Sequence, residues 1–333
     1  MILLRSIAPV AILFATFSVQ AEDATKYDLK YKFKSGEVVR SEVVHKATVE
    51  TTIKGTSQTA ETRTTSVKLW KVGDVKPDGS VTFTHSVESI DMWQKMQGRQ
   101  EQRYNSKSDK KPPQGYETVA KQVGVPLTVV SMDTRGKVSK RQEMLKQPNA
   151  NPTQITLPLP EEPVEIGHTW NTPSSVTLQS AGGAVKQVDL REVYTLKGVS
   201  AGVASIEVET EILTPISDPA LEAQMIQRMT SGTVKFDIDA GRVISQVTDL
   251  DRRVIGFSGP ASSMHYLTRV EEKLLAATPQ SASKSPAKTA TKAPPKTATK
   301  AAPKTASKAP KSASKTPPKT SKAPPKSASK LRR

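Results

Sequence analysis

Thirteen lysines, Lys284, Lys288, Lys292, Lys296, Lys300, Lys304, Lys308, Lys311, Lys315, Lys319, Lys322, Lys326 and Lys330, followed by Arg332 and Arg333, form the densest run of ionisable side chains in this sequence. No Asp or Glu occurs from Ser281 onward, so these residues supply fifteen of the formal net charge of +17. Lysines about four residues apart could line a helix, but the prolines between them forbid a continuous one, and the pattern reads as evenly spread point charge. Such a segment binds polyanions by releasing their counterions. It does not read base sequence, which needs rigid, positioned Arg, Asn or Gln. These fifteen residues are the candidate polyanion-binding set.

The remaining chemistry is sparse. His45 and His85 fall on the apolar register of their segments and could face each other in a core, but two imidazoles without a carboxylate pattern make a poor metal site. His168 lies in a turn before Trp170, and His265 sits in an alternating run where Met264, Tyr266 and Val270 oppose Leu267. The stretch around Ser258 resembles a nucleophile elbow until its last position, where Pro260 replaces the required glycine. Asp249 with Asp251, and Glu161 with Glu162, read as solvated charge in polar turns. No phosphate loop, dinucleotide fingerprint or metal motif is present, so no cofactor, metal or catalytic residue is assigned, and the reading favours a non-enzyme. Without cysteine there is neither thiolate chemistry nor a disulfide.

The elements that would carry these residues are mostly strands. Val39, Val43, Ala47 and Val49 alternate with Arg40, Glu42, Lys46, Thr48 and Glu50, and the pattern returns at Val81, Phe83 and Val87 and at Ala204, Ile206, Val208 and Ile212. The run from Lys76 to Val81 is a turn signal, with Pro77 early and Gly79 free to take positive φ. Helices are few. Asp218 can cap, Pro219 suits the first helical position, Leu221, Met225, Ile226 and Met229 form a stripe, and Gly232 can end the helix. A weaker counterpart lies at 115–124.

Each helix precedes a similar hairpin: Asp133, Gly136, Lys137 and Val138 match Asp239, Gly241, Arg242 and Val243. Residues 35–44 parallel 166–176, and the turn before Val81 parallels the one before Val203. The expected fold is therefore mainly β with a few short helices, in two similar meander, helix and hairpin lobes with a disordered basic tail. The boundaries are a signal peptide at 1–21, a first lobe at 22–147, a proline-rich linker at 148–163, a second lobe at 164–277 and the tail at 278–333. A basic insertion at 93–113 is expected as a mobile surface loop.

Arg5, the apolar run from Ile7 to Val19 and the small residue Ala21 form a cleavable secretory signal, which predicts an exported protein in the periplasm, envelope or exterior with no transmembrane span after cleavage. Removing the tail and Arg5 leaves 33 basic residues against 32 acidic ones, so the body is nearly neutral. The cysteine-free body with its paired Asp and Gly hairpins resembles uncharacterised exported proteins of planctomycete-type bacteria, a resemblance that implies no established activity. The tail resembles the Lys, Ala and Pro tails of linker histones, including Ser285 to Lys288 and the repeats at 294, 317 and 324. Three functions follow as expectations. The first is a β scaffold whose tail holds it on anionic polymers or lipid head groups of the envelope. The others are a carrier for an apolar or lipidic ligand, and a nonspecific nucleic-acid binder working through the tail.

Overall fold

The computed structural model describes residues 25–145, 155–180 and 182–276. Residues 1–21, read above as a signal, and the whole tail, with Lys284 through Arg333, lie outside the described residues. Twelve strands form one antiparallel sheet: β1 (Val38–Ile53), β2 (Thr56–Val75), β3 (Val81–Met96), β4 (Gln102–Asn105), β5 (Pro126–Met132), β6 (Val138–Glu143), β7 (Thr169–Gln179), β8 (Val185–Ser200), β9 (Val203–Ile212), β10 (Ser231–Asp237), β11 (Arg242–Ile255) and β12 (Ser262–Leu274). The helices are α1 (Glu117–Ala120) and α2 (Pro219–Met225), the latter continued by a 3-10 turn at Ile226–Arg228. Strand order is β6-β5-β3-β2-β1-β12-β11-β10-β9-β8-β7, with β4 added beside β3.

The order contains the same run twice. β1, β2, β3, α1, β5 and β6 correspond to β7, β8, β9, α2, β10 and β11, and β12 fills the place between β1 and β11. The match extends to single hydrogen bonds. Gly36 N–H donates to Val72 and Gly167 N–H to Leu196, while Val72 N–H returns to Glu37 and Leu196 N–H to His168. Bulges recur too: Val72/Val75 is matched by Leu196/Gly198, and Ser131/Met132 by Lys235/Phe236. Gly36 and Gly167 both have positive φ two residues before their strands, where only glycine bends the entering chain without strain.

The core draws on both copies at corresponding positions. Val72, Val81, Phe83, Val130 and Met132 cluster with Leu196, Ala204, Ile206, Val234 and Phe236. Each fully buried residue of this size contributes about 1.5–3 kcal/mol. Leu29, Tyr31 and Phe33 of the N-terminal segment enter the same cluster, with Tyr31 edge-on to Phe236 at 5.6 Å. Tyr31 N–H reaches the first hairpin turn at Thr134, and Lys32 N–H reaches the second at Gly241. The segment thus ties the two copies together.

Several local expectations are corrected. The described part of the proline-rich linker packs into the core: Leu159 joins it with Ile155 and Leu157 packed against it, Thr156 Oγ1 donates to Gly136 O, and Trp170 Nε1 donates to Pro158 O. The basic insertion is not all loop, because Gln102–Asn105 pairs with β3 and buries Tyr104 against Tyr116. Asp218 caps α2 through Ala220 N–H as expected, and Leu221, Met225 and Ile226 are buried. Gly232 does not end that helix. It lies inside β10, where a Cβ would stand 2.1 Å from the Val247 carbonyl, so close strand approach excludes any side chain.

Candidate binding groove at the joint between the repeats

β1, β12 and β11 are the strands through which the two copies meet. A groove of about 840 Å³ opens over the middle of this joint, bordered also by β2, β9, β10 and Trp93 of β3. Residues directly opposite on antiparallel strands share a sheet face. Register therefore places Trp93, Arg63, Lys46 and Arg269 in one row across β3, β2, β1 and β12. The row continues through Asp249, Ser231 and Glu209 on β11, β10 and β9. Its cations stand on one side of the groove and its carboxylates on the other.

Pairing within the row is uneven. Arg269 donates to both carboxylate oxygens of Asp249 at 3.1 Å and to Glu271 at 2.7 Å, and this holds the Glu271 carboxyl below its usual range. Two rows further, His265 Nε2 donates to Asp251 at 2.7 Å, and Nδ1 lies 3.4 Å from Glu50. The Asp251 hydrogen bond raises the imidazole above its ordinary value, with Glu50 adding to it. Asp249 and Asp251 are consequently strand residues in ion pairs, where a polar turn was expected. Local spacing does not reveal these pairs, since the partners lie 14 to 20 residues away across a hairpin.

The other candidate residues serve structure. His45 and His85 both point to the core side, as their register indicates, but they do not meet. They are opposite Thr64 and Trp70, six residues apart on β2, which is about 20 Å of strand. His45 bonds Thr268, and burial lowers its basicity. His85 lies 3.3 Å from Thr128; burial, then Lys68 and Arg141, push it down to about 4. His168 stacks on Trp170 at 6.4 Å. Ser258 sits in the β11–β12 turn, where its N–H donates to Ser262 Oγ.

The hairpin motif is also structural. Asp133 Oδ1 accepts from Arg135 and Lys137 N–H and fixes the first turn. In the second turn that role belongs to Asp237, which accepts from Ala240 N–H, and not to Asp239 two residues later. Both turns were visible as Asp and Gly clusters, but the residue doing the capping depended on where the strand ended. Among the described residues, no three His, Asp or Glu side chains are grouped to hold a metal ion. Among them, too, no helix is long and apolar enough to cross a membrane.

No family model and no curated protein matches the chain. Among solved structures, it is similar to one described under lipid-protein interactions in lipovitellin, at 12% identity and a TM-score of 0.41, covering 74% of this chain and 26% of that one. It is also similar to DynF from the dynemicin pathway of Micromonospora chersina, at 5% identity and a TM-score of 0.19, covering 80% of this chain and 91% of that one. The chain spans about a quarter of the lipovitellin chain.

Proposed function

We propose that this chain is an exported, non-enzymatic β scaffold held by its tail on anionic polymers or lipid head groups of a cell envelope. The observation that carries this reading is the division of charge. Fifteen positive charges follow Ser281 without one acid, while the body that forms the sheet has 33 basic and 32 acidic residues. The ionisable groups of the sheet are largely committed to structure: Asp133 and Asp237 to turns, and Asp249, Asp251, Glu271 and Glu211 to ion pairs. The signal-like segment ending near Ala21 supports export, by which the tail would meet envelope anions before nucleic acid.

A tail that works through charge alone has no required order. Full-length protein and a form with residues 281–333 scrambled at fixed composition are compared on anionic vesicles across a salt series. Equal retention, falling steeply with salt, is expected because exposed charges are screened beyond about 8 Å at physiological ionic strength. Loss of binding on scrambling alone would overturn the tether.

The carrier reading is not favoured. Lys46, Arg63, Asp249, Asp251 and Arg269 line the groove, and charge at these positions suits a polar ligand better than an acyl chain.

A further inference from the structure

Several exposed cations of this sheet are neutralised by neighbouring acids. Arg40 pairs with Glu88, Arg191 with Glu211, Lys197 with Glu207 and Arg269 with Asp249. Lys46 and Arg63 are not among them. They stand directly opposite each other on β1 and β2, both border the groove, and neither makes an ion pair among the described residues. Lys46 is also directly opposite Arg269 on its other side. Glu271 lies within the electrostatic reach of Lys46 but is bonded to Arg269, and Glu61 borders the groove two positions from Arg63 without pairing to it. Like charges directly opposite on neighbouring strands destabilise a sheet. The Lys46 and Arg63 contact, bordering a groove and without a paired acid, is a feature that folding alone does not favour.

We infer that Lys46 and Arg63 form a binding site for the phosphate of a small phosphomonoester. Its double charge matches the two unpaired cations. An ammonium with three donors beside a guanidinium with five offers more N–H groups than a carboxylate can use, whereas a phosphomonoester presents three terminal oxygens and close to two negative charges. The organic part of the ligand has its own wall. Trp93 is directly opposite Arg63, and its indole N–H is held by Glu101 at 3.0 Å. Leu267, 45% exposed, borders the groove beside Arg269. The inference goes beyond the tether and does not depend on it, because the site lies in the sheet and the tail is the same in every variant below.

The chain has three tryptophans, so 5-fluorotryptophan labelling of the full-length protein gives three fluorine resonances, and Trp93→Phe identifies the one from Trp93. Glycerol 3-phosphate and inorganic phosphate are the probes, titrated separately at physiological salt. The Trp93 resonance is expected to shift saturably with glycerol 3-phosphate, while those of Trp70 and Trp170, buried in or packed against the core, stay in place and report an intact fold. Weaker binding of inorganic phosphate means the organic part contributes; equal binding means the free ion suffices, and either result supports the site. Lys46→Gln with Arg63→Gln should weaken binding about tenfold or more, and Lys46→Arg should retain it, because charge-assisted hydrogen bonds are the strong ones. The inference is overturned if the Trp93 resonance is unmoved by either probe up to about 10 mM, an affinity weaker than any useful site. It is overturned equally if the double glutamine variant saturates like the parent.

Discussion

Arg135 donates from Nη1 to the carboxylate of Asp28 at 2.8 Å, joining the first hairpin turn to the N-terminal segment. The same nitrogen reaches Leu29 O at 2.6 Å, and Nη2 reaches Glu161 O at 2.5 Å. One guanidinium, 9% exposed, therefore serves three chain segments. Burial opposes ionisation of Asp28, but Lys30 and Arg135 outweigh it and hold its carboxyl below the usual range.

Removing that guanidinium leaves two inward carbonyls without a donor. Arg135→Met should lower unfolding stability by about 2–3 kcal/mol, the scale of lost charge-assisted bonds and unsatisfied buried acceptors. Asp28→Asn should cost less than about 1 kcal/mol, since that carboxylate is 42% exposed and solvent screens it. Urea unfolding of the two variants checks the order, and equal losses would show that the carboxylate and not the carbonyls matters.

The turn glycines should separate by what surrounds them. Gly36 has φ +78° and nothing within 4 Å of an added Cβ, so Gly36→Ala should cost about 1 kcal/mol from conformation alone. Gly136 and Gly241 also have positive φ, and a Cβ would lie 2.5 Å from Leu157 O in one and 2.6 Å from Lys32 N in the other. Alanine at either should cost upwards of about 2 kcal/mol, because strain is added to a collision with backbone. Thermal melts of the three variants give the comparison.

Acid sensitivity should trace to His85. Its folded pKa of about 4 lies below the ordinary 6.5, so the unfolded chain takes up the proton first as pH falls. The stabilisation is complete above pH 6.5 and is lost as pH drops toward 4, with a slope of up to roughly 1.4 kcal/mol per pH unit. His265 has the opposite sign: its raised pKa adds stability below 6.5 that fades as pH rises past its folded value. Denaturant midpoints between pH 4 and 7 should therefore flatten in His85→Gln and steepen in His265→Gln.

Local periodicity carried much of this fold into view. The alternation in β1, the cap at Asp218 and the order of turns each reflect interactions within a few residues, where sequence spacing and spatial spacing agree. What stayed hidden depends on distant partners. The linker reads as a spacer because prolines remove ladder donors, yet Leu157 and Leu159 find a core made of other segments. Gly232 looks like a helix end because nothing local reveals the β11 backbone beside it. The groove is a product of register: Lys46, Arg63 and Arg269 are unremarkable on their own strands, and only pairing aligns them.

The most direct measurement of the tether is release from envelopes. Full-length protein and a form ending at residue 280 are bound to washed, isolated envelopes and eluted with rising salt, with melting temperature recorded for both. Equal melting temperatures are expected, with retention of the full-length chain at low salt, its release at high salt, and no retention of the shortened form. Equal retention of the shortened form would contradict the tether and assign the attachment to the sheet.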